Sequence, residues 1–332
     1  MKNKSFELIN YYYRPNKQVE RKIIIDIIQG YRGILTPEDY CYIGMGSIYY
    51  YDFILLHKLI GISDLVSIDN DTSEKRFKFN KPYDFISFFN KSSSDYLIEH
   101  DFSSKPTIIW LDYDQSFLNN DFVFPDLSII SKEAREKHFI IITLNSNNPK
   151  TDEKEQFMAK YNDFISPAIK KKAFTSPKFF IYLLQNILIN YIEKQNEYSD
   201  YKFHKLFSFY YKDGAPMYTL GGVFTEDIQQ FISSKNSHKD INFNKDEIHH
   251  INIPKITYKE KFYLDSKITQ LKKWIEEGYS LIEEDKIRDE NEKKRIIEKI
   301  LSSNMAFELS KEEVENYISN YKYFPQYYEG IL

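Results

Sequence analysis

Short apolar runs alternate with amphipathic or charged segments along the first half of the chain, and each run closes on polar residues. The runs are DYCYIGMGS (39–47), LVSIDND (65–71), YDFISFFN (83–90), PTIIWLDYD (106–114) and HFIIITLNSN (138–147). Between them lie KQVERKIIIDIIQG (17–30), with Val19, Ile23, Ile27 and Ile28 on one helical stripe, then SIYYYDFILLHKLIG (47–61), TSEKRFKF (72–79), SSSDYLIEH (92–100) and residues 125–137. Near-continuous apolar strands separated by helices predict a parallel sheet covered on both faces. In such a sheet ligands sit outside the carboxyl ends of the strands. Those ends read GMGS, DND, Asn90, DYD and LNSN, so polar groups collect where the topology places a site.

Beyond this alternation, SPKFFIYLLQNILINYIEKQ (176–195) predicts a long amphipathic helix. Two strand-like runs around Lys212-Asp213-Gly214 predict an antiparallel hairpin. After Phe224 the chain becomes polar, then charged and helical. NIPKITYKEKFYLD (252–265) is read as strand-like, Ser266–Ser303 as one continuous charged helix, and Ser310-x-x-Glu313 as the capping box of a last helix. The expected division is a Rossmann-like α/β domain over 1–224 and a mainly helical region over 225–332. The aromatic end, Tyr321 to Tyr328, is expected to pack on the sheet domain, since exposed patches of that kind mark contacts.

The 45 Lys and Arg against 49 Asp and Glu leave a net charge of −4, which excludes a global basic field for nucleic acid and leaves a local basic patch open. A single cysteine, Cys41, excludes a disulfide framework and a cysteine-rich zinc site. His249-His250 has no matching ligand cluster, so no metal is expected. His57 and Cys41 read as core or partly buried residues. The sequence shows neither a secretory leader nor a membrane-spanning run, and a cytoplasmic protein is expected.

The order of five parallel-type strands, a helix and an antiparallel hairpin resembles that of class I S-adenosylmethionine-dependent methyltransferases. The glycine turn Tyr42-Ile43-Gly44-Met45-Gly46-Ser47 is similar to the first motif of that family, without its acid and its third glycine. Asp69 follows Gly46 at the spacing of a ribose-binding acid. The resemblance implies S-adenosylmethionine as cofactor. It assigns Gly44, Gly46 and Ser47 to the turn against the cofactor, Asp69 to the ribose, and Asn90 to the adenine. By the same resemblance Asp112 and Asp114 would face the methionine end and the acceptor, and Arg14 could supply a cation for a carboxylate. A valine at Gly46 is expected to block the cofactor while sparing the fold. The acceptor and a protein partner for the C-terminal region remain open.

Two other readings use the same residues. A methyltransferase-like module that binds without catalysing accounts for the incomplete first motif. The pattern of YIGMGS, NKPYDF and IWLDYD also looks like bacterial methyltransferase-like proteins, some of them associated with multi-gene defence loci. Alternatively, IIWLDYDQS is similar to the first motif of haloacid-dehalogenase-type phosphatases. Asp112 would then be a nucleophile, Asp114 a general acid and Thr143 the second motif, with Mg²⁺ required. The downstream acid pair that such enzymes need is missing from the sequence.

Overall fold

The computed structural model describes residues 14–70, 74–117, 120–170, 174–234 and 238–324, with the side chains of Asp114, Ala168, Pro177 and Lys178 outside that description. The chain divides into two compact units. One is Glu20–His250; the other combines Val19 and the residues just before it with Ile251–Leu332.

The described residues of the first unit form one eight-stranded sheet in the order β3-β2-β1-β4-β5-β7-β6-β8. The strands are β1 (Cys41–Gly44), β2 (Asp64–Asp69), β3 (Ile86–Asn90), β4 (Thr107–Ser116), β5 (His138–Asn145), β6 (Lys202–Lys212), β7 (Pro216–Thr225) and β8 (His249–Ile251). Strands β1 to β5 pair in parallel, and β7 pairs antiparallel with both β5 and β6. The expected doubly wound, mostly parallel sheet with an antiparallel hairpin is therefore present. The order reverses between β1 and β4, and the crevice at that switch point is the place for a ligand.

The helices are α1 (Pro15–Gly30), α2 (Tyr51–Leu55), α3 (Glu74–Asn80), α4 (Ser93–Glu99), α5 (Val123–Glu133) and α6 (Pro177–Gln195). Each starts or stops for a local reason. The Ser92 hydroxyl accepts from the Asp95 amide at 3.1 Å to cap α4, and Ser176 caps α6 with Pro177 in its first turn. The segment 47–61, expected as one helix, is broken. It opens as a 3-10 turn (Ser47–Tyr49), breaks where Tyr50 takes a left-handed φ of 51°, and ends as a π turn (Leu56–Ile60) at Gly61. The break buries the Tyr50 ring against Phe53 and brings its hydroxyl to the Phe77 carbonyl at 3.1 Å.

The sheet's two faces differ. Ile43, Val66, Ile109, Leu111, Ile140 and Ile142 join α4, α5 and α6 in an apolar core. Burial there drives folding at roughly 25 cal/mol per Å². Cys41 belongs to that core, and burial pushes its thiol up to about 12. One polar knot sits within it: Ser93, Ser94 and Tyr113 all donate to the Asp126 carboxylate. The opposite face carries Tyr42, Trp110, Thr143 and Thr219 beneath the Glu20–Gly30 part of α1.

His138 opens β5 at 2% exposure. Burial first, then Arg135 and His100, lowers its pKa from 6.5 to about 4. A group depressed on folding contributes stability that is present above pH 6.5 and lost as pH falls through about 4. A lowering of that size corresponds to about 3 kcal/mol. His138→Gln is predicted to flatten the fall in melting temperature between pH 7 and 4; an unchanged slope would refute the assignment.

The second unit is helical: α7 (Tyr258–Ser266), α8 (Ile268–Glu284), α9 (Glu290–Asn304) and α10 (Lys311–Asn320). Its core uses Leu271, Ile275 and Ile282 of α8, Ile297 and Leu301 of α9, and Val314 and Tyr317 of α10. Two sequence expectations are corrected here. Residues 258–265 are helical, because Thr257 and Glu260 make a reciprocal capping box. The long helix expected over 266–303 breaks at 285–289, where Lys286 takes a left-handed φ of 54° and Asp289 caps α9. The Ser310–Glu313 capping box is as expected. Of the aromatic end, Phe324 is buried against Tyr317 inside this helical unit, and 325–332 lie outside the described residues. No described helix is long and apolar enough to cross a membrane.

Candidate active site

The sheet register brings most of the expected residues to one edge. Gly44 ends β1 and pairs with Ser67 on one side and Trp110 on the other. Asp69 and Asn90 end β2 and β3 side by side in register. Asp112, half-buried, pairs with Thr143 inside β4, which bulges beyond it and runs on to Ser116. Gly44, Asp69 and Asn90 thus end β1, β2 and β3, Gly46 and Ser47 follow β1, and Asp112 lies inside β4 just past the Gly44–Trp110 pair, all in the first unit. Asp114 lies in β4, but its side chain is outside the described residues. Arg14 belongs to the other unit.

The glycine turn is strained and incompletely satisfied. Ser47 has φ 48° and Tyr50 φ 51°, both left-handed without being glycine. Such residues cost about 1–3 kcal/mol each and persist where the surroundings over-determine them, often at ligand sites. The Ser47 hydroxyl is buried without a hydrogen-bond partner among the described residues. The missing side chains of the two glycines do not leave open space. A Cβ on Gly44 would meet the Tyr42 ring at 2.7 Å; one on Gly46 would meet Phe53 at 2.8 Å and Tyr50 at 2.9 Å. The protein's own aromatic rings occupy that room.

Asp69 is half-buried, and its charge reaches Tyr50, whose hydroxyl is pushed up to about 12 mainly by burial. Asn90 is exposed beside Glu74, which Lys78 first and Asn90 last hold below the usual glutamate range. Alternation along β4 turns Asp112 to the α1 face and Tyr113 to the other, where it anchors on Asp126.

Sequence reasoning missed a buried polar network beneath this edge. Trp110 Nε1 donates to Thr143 Oγ1 at 3.1 Å, Thr143 and Thr219 share a hydrogen bond of 2.9 Å, and Thr219 donates to Glu20. Arg21 pairs with Asp52, each side chain 7% exposed. A signal was available: Glu20-Arg21 flanks the apolar stripe of α1, and Asp52 is the lone acid within YYYDFILL. Thr143, the second-motif residue of the phosphatase reading, is fully buried within this network.

A sheet of order 3-2-1-4-5-7-6 with a strained glycine turn after β1, an acid closing β2 and another inside β4 defines the α/β architecture of class I methyltransferases. The chain belongs to the family described as "Putative O-methyltransferase", which matches residues 9–332. Solved structures similar to it include Trm1 from Pyrococcus horikoshii in complex with S-adenosyl-L-methionine, at 11% identity and TM-score 0.43, over 67% of this chain and 58% of that one. This chain therefore spans 58% of the length of the Pyrococcus protein. Another is a SAM-dependent methyltransferase from Archaeoglobus fulgidus, at 15% identity and TM-score 0.33, over 66% of this chain and 100% of that one. At these identities and scores the ligands of those proteins are their own. Among curated proteins no match was found.

Proposed function

We propose that the protein binds S-adenosylmethionine at the carboxyl edge of β1 to β4 and transfers its methyl group to an oxygen acceptor. The observation that carries this reading is the turn after β1: two left-handed non-glycine residues and a buried Ser47 hydroxyl with no partner among the described residues, at the topological switch point. Family membership supports the O-methyl chemistry. When bound, the cofactor supplies an electrophilic methyl on a sulfonium.

The chain's own residues have the remaining tasks. The backbone of Gly44 to Ser47 would line the cofactor. Asp69 would accept from a ribose diol, and Asn90, in register beside it, would meet the adenine. Asp112 would orient the acceptor hydroxyl or take its proton. Alignment of nucleophile and methyl is the larger contribution in such a transfer. The buried free thiol of Cys41 suits a reducing, cytoplasmic setting. A protein partner for the helical unit, in a bacterial defence system or elsewhere, would meet its exposed Phe262, Tyr279 and Leu281, although Phe79, Ile98 and Tyr198 of the first unit are more exposed. Calorimetry with S-adenosylhomocysteine tests the reading. Binding is expected, together with a rise in melting temperature by mass action. A well-folded protein that shows neither at millimolar ligand overturns it.

A further inference from the structure

Three carboxamides of α6, those of Gln185, Asn186 and Asn190, line one cleft of the first unit. The cleft measures about 280 Å³ with its open mouth included, and Ile169 and the turn at Lys245 close its other sides. None of its residues belongs to the glycine turn or to the strand ends of the candidate active site.

Each carboxamide is fixed by what it already bonds. Gln185, 1% exposed, spends both ends: Oε1 accepts from the Tyr218 hydroxyl at 2.8 Å, and Nε2 donates to the Lys245 carbonyl. Asn186 Oδ1 accepts from the Ser166 amide at 2.9 Å, and Asn190 Nδ2 donates to the Phe164 carbonyl at 2.8 Å. A main-chain N–H only donates and a main-chain carbonyl only accepts, so these partners settle which way each asparagine is turned. Asn186 therefore keeps its Nδ2 donor and Asn190 its Oδ1 acceptor, and neither atom has a partner among the described residues. The two residues stand four apart on one helix face, which makes the donor and the acceptor neighbours.

The surroundings narrow the ligand. Lys245 is already paired with Glu193, which removes it as an anchor for an anion, so the cleft reads by hydrogen bonds. Tyr182 stands one turn before Asn186 and brings an aromatic ring to the lining, with Ile169 and Ile189 as its apolar part. Such a surface suits the face of a flat ring. A donor and an acceptor side by side complement an amide or amidine edge, as when a carboxamide reads a base. The cleft is at the small end of ligand sites, which fits a single ring.

We propose that this cleft binds a flat, neutral heterocycle through an edge that carries an acceptor beside an N–H, the chemistry of a nucleobase. Asn186 donates to the ring's acceptor, Asn190 accepts from its N–H, and Tyr182 meets the ring face. The site stands apart from the methyltransferase reading, and neither depends on the other.

Ligand-observed NMR with 1-methyluracil and 1,3-dimethyluracil tests it. The second probe keeps the ring and both carbonyls and replaces the remaining N–H with a methyl. The protein is expected to bind 1-methyluracil with a Kd on the order of millimolar, and the dimethyl probe at least about tenfold more weakly. Asn186→Asp keeps the oxygen that the Ser166 amide needs and exchanges the free donor for a second acceptor. It is expected to melt like the parent and to bind 1-methyluracil at least about tenfold more weakly. Equal binding of the two probes by the parent overturns the site. So does parent-like binding by the folded variant, or no binding of 1-methyluracil at tens of millimolar. Should the variant fail to fold, the comparison of the two probes on the parent still decides.

Discussion

Gly46→Val is expected to lose several kcal/mol of stability in a denaturant melt, rather than to leave a folded protein with an empty site. The reason lies in what surrounds the glycine. A Cβ there would sit 2.8 Å from Phe53, 2.9 Å from Tyr50 and 3.1 Å from the Ser67 hydroxyl. Phe53 and Tyr50 are fully buried and pack edge to face with centroids 5.4 Å apart. Neither ring can retreat without moving the other. Overpacking of this kind costs about 1–3 kcal/mol for small insertions, and valine adds two further methyl groups. Tyr50 also holds the turn, since its left-handed backbone and its bond to the Phe77 carbonyl depend on where the ring lies. Gly46→Ala should show the same effect at smaller size. A valine variant that melts like the parent would show that the rings yield, and would return the turn to a purely ligand-facing role.

Asp69→Ala is expected to act in the opposite way, with a large effect on binding and little on folding. Asp69 is half-buried at the last position of β2, where its side chain contributes little to the apolar core. If it accepts from the ribose diol, its removal takes away a hydrogen bond to a charged group, worth about 1.5–3 kcal/mol. That corresponds to roughly a ten- to hundredfold rise in the Kd of S-adenosylhomocysteine. Calorimetry on the variant reads the affinity, and a melt reads the fold. Unchanged affinity would remove Asp69 from the site, whereas a collapsed melting temperature would make it a structural residue.

The expected class of fold was legible because parallel strands buried on both faces must be apolar along their whole length. LVSID, IIWLD and HFIIITLN announce themselves in this way, as does the hairpin around Asp213-Gly214. The polar ends of those strands followed from the same logic, and Asp69 and Asn90 close β2 and β3 where strand counting placed them, whereas β4 runs past Asp112 and Asp114 to Ser116. Local capping chemistry was legible where its signature was read, at Ser310–Glu313, and equally present but overlooked at Thr257–Glu260.

Other features depend on atoms distant in sequence. Lys286 and Tyr50 take left-handed backbone without glycine, so no residue type marked the breaks at those points; at Tyr50 the packing of its ring against Phe53 goes with the break. The filled space at Gly44 and Gly46 is decided by which rings fold over them, and a glycine looks the same in sequence whether a ligand or a phenol occupies its place. The pairing of Arg21 with Asp52 spans 31 positions, and the bond from Thr219 to Glu20 spans 199. Burial turns these charged and polar groups from ordinary surface residues into paired groups inside the first unit. Sequence periodicity determined the sheet and the edge where its polar strand ends collect; only tertiary packing decided which buried polar groups find partners among the described residues, because satisfaction of a hydrogen bond is a property of the neighbours that folding supplies.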